Sequence, residues 1–128
     1  QNSQKISMKT EFIEDKLDQF SRATELLNNL DSLKKEIRLK FKRLTSQEFK
    51  VFSAIYQLEE QKQQVTYPLL SSKLNLSGSS IRDYISHIIA KGVPISKEKI
   101  NNKEVILHIS PELKKIASLA SIIQLREL

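Results

Sequence analysis

From Ile6 to Leu44 the apolar positions recur with a seven-residue repeat. That is the spacing of a helix with one long stripe to bury. One seam position holds Ile6, Ile13, Phe20, Leu27 and Phe41, interrupted by Lys34. The other holds Ala23, Leu30, Ile37 and Leu44, preceded by Lys9 and Lys16. Phe12, Leu26 and Leu33 flank the seam and widen it. The pattern predicts an amphipathic helical arm over residues 1–44. Within it, Asn28-Asn29-Leu30-Asp31-Ser32 contains residue types that favour helix ends, and Asp31 or Ser32 suits an N-cap. The heptad phase nevertheless runs on through them, so one helix and two both stay open at this stage.

Beyond Leu44 the period shortens into discrete elements. Thr45-Ser46-Gln47-Glu48 is a capping box that starts a helix, with Phe49, Phe52, Ile55, Tyr56 and Leu58 at helical spacing. Glu59 to Gln64 is a polar loop, and Val65-Thr66 a short extended piece. Pro68 fits the first turn of a helix running to Leu74. Asn75-Leu76-Ser77 is a turn, and Ser77 caps a second helix whose buried face is Ile81, Tyr84, Ile85 and Ile88. Gly92 ends that helix, where a left-handed residue is needed. Two strands follow, Val93 to Lys99 and Glu104 to Ile109, joined by Ile100-Asn101-Asn102-Lys103. Val105, Leu107 and Ile109 alternate on one strand face. Ser110-Pro111-Glu112 then starts a last helix with Leu113, Ile116, Ala117, Ala120 and Ile123 on one face, widened by Leu119, Ile122 and Leu125. Helix, turn, longer helix and hairpin in that order is the layout of a winged helix-turn-helix. The expected fold is mainly α with a small β-hairpin wing, an N-terminal coiled-coil-like arm and a C-terminal helix. The junction is placed at Leu44/Thr45, giving an arm (1–44) and a winged domain (45–128).

Composition narrows the class. The chain has 128 residues, 39 % of them hydrophobic, with two glycines and three prolines, as a mostly helical protein would. It has no cysteine, hence no disulfide framework and no thiolate metal site. His87 and His108 stand far apart, so no metal site is expected and both read as surface histidines. No apolar run is long enough for a membrane span, and Gln1 to Lys5 do not resemble a signal peptide, so an intracellular location is expected, cytoplasmic and nucleoid-associated. The chain begins without methionine, as a segment of a longer protein would. The net charge of +6 favours polyanionic partners. Lys34, Lys35, Arg38, Lys40, Lys42 and Arg43 crowd one stretch against Glu36 alone; Lys97, Lys99 and Lys103 surround the hairpin tip. Neither a glycine-rich phosphate loop nor a nucleophile–base pair is present, so neither an enzyme nor a cofactor is expected. Glu11, Glu14, Asp15 and Asp18 read as a solvated helix face rather than a pocket.

The stretch Leu70 to Ile95, LSSKLNLSGSSIRDYISHIIAKGVPI, resembles bacterial and archaeal winged-helix regulators, including the MarR and ArsR-like groups. The matching features are the aliphatic-turn-aliphatic step Leu74-Asn75-Leu76, the serine-rich cap Ser77-Gly78-Ser79-Ser80, buried Ile81 and Ile85, and the closing Lys91-Gly92. The resemblance implies a dimeric, sequence-specific regulator of transcription that binds double-stranded DNA. The helix after the turn would enter the major groove, presenting Ser77, Ser79, Ser80, Arg82, Asp83 and Ser86. Arg82 is the candidate for guanine readout, since its planar fork can donate two bonds to one base edge. Lys97, Lys99, Asn101, Asn102 and Lys103 match the wing, which would touch phosphate or minor groove. Asp83 departs from the pattern: an acid there repels phosphate unless it accepts from a cytosine amino group or orients Arg82.

A homodimer would read two half-sites about one helical turn apart. Its expected contacts are Ile13, Phe20, Leu27, Leu30 and Ile37 on the arm, with Ile116, Ala120 and Ile123 on the last helix. Packing of the arm onto that helix within one chain is the alternative for the stripe. For the whole protein two alternatives stand beside the regulator: a winged-helix interaction module with further protein partners, and a replication or partition initiator.

Overall fold

The computed structural model describes the backbone of residues 2–101 and 103–128, and the side chains of 16–101 and 103–128. The side chains of Ile6, Lys9, Glu11, Phe12, Ile13, Glu14 and Asp15, and Asn102 altogether, lie outside the described residues. The chain divides into two compact units, residues 1–36 and 37–128. Among the described residues no helix is long and apolar enough to cross a membrane.

The question of one arm helix or two is settled by α1, which runs unbroken over Asn2–Lys42. No side chain of Asn28 to Ser32 forms a cap, and Thr24 returns its hydroxyl to the Phe20 carbonyl at 2.9 Å, a bond that leaves the ladder intact. In the first unit every described side chain, from Lys16 to Glu36, is exposed.

The second unit begins inside that helix, at Ile37, which is buried together with Phe41 and Leu44. Helix α2 spans Ser46–Glu60 and starts on the expected capping box: the Thr45 N–H donates to Glu48 Oε1 (2.8 Å) and the Glu48 N–H to Thr45 Oγ1 (3.1 Å). Phe41, Phe49 and Phe52 then meet ring to ring, with Phe41 and Phe52 centroids 4.7 Å apart. Strand β1 (Val65–Thr66) leads into α3 (Tyr67–Leu74), capped by the Thr66 hydroxyl with Pro68 in its first turn. Helix α4 covers Gly78–Ala90. Gly92 follows at φ +95°, the left-handed conformation that releases the chain toward the wing.

The wing is β2 (Ile95–Ile100) paired antiparallel with β3 (Glu104–Ile109), Lys97 opposite Leu107 and Lys99 opposite Val105. The short extended piece is a third strand: β1 pairs with β3 on its other side, in the order β1-β3-β2. The first wing strand starts at Ile95, because Val93 and Pro94 still belong to the turn after Gly92. Burial on β3 is wider than simple alternation, since Ile106 is buried along with Leu107 and Ile109.

The last helix is a correction. It is two helices, α5 (Pro111–Ile116) and α6 (Leu119–Glu127). Ser110 makes no side-chain cap, whereas Ser118 caps α6 by accepting the Ser121 N–H at 3.2 Å. Between them Ala117 is extended (φ −148°, ψ 122°), and its carbonyl accepts the buried Tyr56 hydroxyl at 3.0 Å. The break resets the helical phase. Leu113, Ala117, Leu119 and Ile122 enter the core, and Ile116, Ala120 and Ile123 turn outward. Arg126 closes the unit by donating to the Phe41 and Leu44 carbonyls at 3.2 and 3.1 Å, which satisfies orphan acceptors at the end of α1.

Candidate nucleic-acid interface

The turn between α3 and α4 is held by backbone that the sequence makes cheap. Asn75 takes the left-handed conformation (φ 56°), and the Leu76 N–H bonds the Ser71 carbonyl at 3.1 Å. The Ser71 hydroxyl donates to the Leu76 carbonyl. Ser77 then caps α4: its Oγ accepts the Ser80 N–H at 3.2 Å and lies 2.9 Å from the Ser80 hydroxyl and 3.2 Å from that of Ser79. The serine cluster thus organises the helix start, and its hydroxyls are largely committed to one another.

Ile81, Ile85 and Ile88 are fully buried, which aims the opposite face of α4 outward. Ser77, Ser79, Arg82, Asp83 and Ser86 are exposed there, and Ser80 is half-buried; Tyr84, expected in the core, is half-buried at its edge. The Arg82 guanidinium lies over the Tyr67 ring, 5.3 Å from its centroid, a cation–π contact that steadies the side chain. Asp83 does not hold Arg82; it has no ion pair among the described residues.

The wing sorts its charges by strand alternation. Lys97 and Lys99 project to one face of β2, and Glu98 to the other, where its carboxylate meets His108 Nε2 at 2.7 Å. On the lysine side lies a cleft of ≈ 380 Å³ between α4, the start of α3 and the wing. Arg82, Lys97, Lys99 and Lys103 all line it, with Tyr67 on its wall and Glu104 as its one acid. None of these four cations is in an ion pair among the described residues. Asn101 sits exposed at the tip with φ 54°.

Two carboxylates fix this frame, and neither was singled out for that role by spacing. Glu48 is only 3 % exposed and binds Lys91 at the end of α4 (2.5 Å), with His87 3.9 Å away. Burial alone pushes its pKa up, but the Lys91 ammonium and the Thr45 donors outweigh burial and hold it below the ordinary value. Glu59 accepts the Ile109 N–H at 2.6 Å, pairs with Lys114 at 3.0 Å and reaches His108 Nδ1 at 3.3 Å. His108, expected as a plain surface histidine, is therefore bridged between Glu59 and Glu98. Among the described residues no cluster of His, Asp or Glu could hold a metal ion.

On the expected oligomer surface, Phe20, Leu27 and Leu30 are exposed on α1, as are Ile116, Ala120 and Ile123 on α5 and α6, while Ile37 lies in the core of the second unit.

The sequence matches no family model and no curated relative. Among solved structures, the chain resembles MepR of S. aureus in its complex with DNA (TM-score 0.53, 10 % identity, 80 % of this chain on 81 % of that one). It also resembles wild-type MarR of E. coli in its apo form (TM-score 0.50, 16 % identity, 79 % on 73 %). With the capped turn, the buried isoleucines of α4 and the β1-β3-β2 sheet, these likenesses give the chain the winged helix-turn-helix fold of MarR-type proteins.

Proposed function

We propose that this protein is a dimeric transcription regulator that binds double-stranded DNA in a sequence-specific way, with α4 in the major groove and the wing on phosphate. The carrying observation is the convergence of Arg82, Lys97, Lys99 and Lys103, unneutralised, on one cleft between the helix and the wing. Lysines on the wing supply a sequence-independent attraction to phosphate. Arg82, steadied on Tyr67, is the base reader, since a guanidinium can donate two bonds to guanine O6 and N7. Asp83, free beside it, selects against phosphate and suits a cytosine amino group. The solved MepR complex, a likeness of fold, contains DNA and supports the same use of this fold.

Selection of bound duplexes from a random pool tests the reading. The expected product is a site with two symmetry-related half-sites. Arg82→Ala is expected to relax preference at one base pair per half-site, by about 1–3 kcal/mol. Recovery of no enriched sequence, or of the same motif at the same strength with Arg82→Ala, overturns the assignment of α4 as reader.

A further inference from the structure

The first unit presents Leu17, Phe20, Leu26, Leu27, Leu30 and Leu33 to solvent along one helix. Contiguous apolar surface of that length marks an interaction site. It is also the direct continuation of the seam that, from Ile37 onward, is buried. We propose that this bare stripe is covered by the same stripe of a second copy of the chain, with the two α1 helices antiparallel. The proposal rests on the dimer put forward above and specifies how its arms meet.

Charge selects both the occupant and its direction. Between residues 11 and 33 the sequence has six carboxylates (Glu11, Glu14, Asp15, Asp18, Glu25, Asp31) against Lys16 and Arg22, a net charge of −4. Between residues 34 and 43 it has six cations against Glu36, a net charge of +5. A parallel, in-register pair sets the basic segment beside its own copy. It also places Lys34, the one cation in its seam row after Leu27, against Lys34 of the other helix, because equivalent seam positions face each other in that geometry. Reversing one helix lays each basic segment toward the acidic part of the other and separates the two Lys34 ammonium groups. The helix thus contains both halves of a complementary surface, in reverse order, and a second α1 fits it.

The chain has no cysteine, so introduced thiols report cleanly. Gln19→Cys and Lys34→Cys are both at exposed positions flanking or within the seam. With the helices crossing near Leu26, a 1.5 Å rise per residue separates two copies of either thiol by roughly 20 Å along the axis, while one of each lies side by side. The experiment mixes the two full-length variants, without DNA, and treats them with a short bis-maleimide. Cross-linking in the mixture, with little in either variant alone, is the expected result. Efficient linking of Lys34→Cys to itself means parallel arms and overturns the proposal. A dimer by mass with no links in any combination also overturns it, leaving dimerisation through another surface and DNA binding untouched. A monomer overturns both the antiparallel arms and the dimer, while duplex binding, measured separately, still decides the DNA reading. As a second variant, Leu27→Asp is expected to halve the mass in solution without shifting the unfolding transition of the second unit. An unchanged mass for that variant places the dimer elsewhere and overturns the proposal.

Discussion

Phe41 is 1 % exposed and Phe20 is 73 % exposed, yet they occupy the same seam position of one continuous helix, three heptads apart. Phe41 is enclosed by Phe49 and Phe52 of α2, and the carbonyls at its end of the helix are tied to Arg126 of α6. Phe20 has no such neighbours among the described residues. The difference teaches that a heptad states that a stripe must be covered without saying by what. Where the following elements fold back on the helix, the seam becomes core; where they do not, it stays bare and its charges become the guide to a partner.

Substitutions along that contrast are expected to separate cleanly. Phe41→Ala has the largest effect, about 3–5 kcal/mol of lost stability in denaturant unfolding, from transfer and cavity terms together. An effect as small as that of a surface change would remove the claim that the end of α1 is core.

Next is Glu48→Gln, with a loss of roughly 1–3 kcal/mol at neutral pH, since it weakens the cap and leaves Lys91 without its carboxylate. Because the folded-state pKa of Glu48 lies below its ordinary value of 4.5, folding favours the ionised form. Its stabilisation is complete above that value and is lost as the pH falls through the folded pKa. Unfolding curves of the wild type and Glu48→Gln therefore converge in acid. Curves that stay parallel down the acid limb contradict this assignment.

Arg126→Ala follows at about 1–2 kcal/mol, for two bonds to helix-end carbonyls and a guanidinium 4.7 Å from the Phe49 ring centroid. Smallest in fold stability is Phe20→Ala, within about 0.5 kcal/mol for the second unit. Its effect is expected in sedimentation instead, as weaker self-association. If Phe20→Ala destabilised the second unit as Phe41→Ala does, the two ends of the seam would share one environment and the comparison would fail.

What the sequence disclosed follows the reach of each signal. The Thr45–Glu48 box, Pro68 in its helix, the Ser77 cap and left-handed Gly92 are decided within four residues, and each was legible. So was the outward set of α4, because Ile81, Ile85 and Ile88 define its opposite face. The break at Ala117-Ser118 was not. Alanine and serine do not forbid a helix, and what favours the bend is the Tyr56 hydroxyl, 61 positions away in sequence. The misplaced phase of Ile116, Ala120 and Ile123 follows from that one omission. In the candidate site the lysines and Arg82 could be named from their positions. The stacking of Arg82 on Tyr67, the Glu48–Lys91 pair and the Glu59–His108–Glu98 bridge could not, since each joins separate elements.

The central claim is that the cleft between α4 and the wing binds the phosphates and bases of duplex DNA. Titration of a labelled duplex at several salt concentrations, with wild type and with Lys99→Ala and Lys103→Ala, tests it most directly. The account predicts affinity falling steeply with salt, and a slope of log K against log salt reduced by about one for each lysine removed. Binding that is absent at low salt, or a slope that both substitutions leave unchanged, would contradict it.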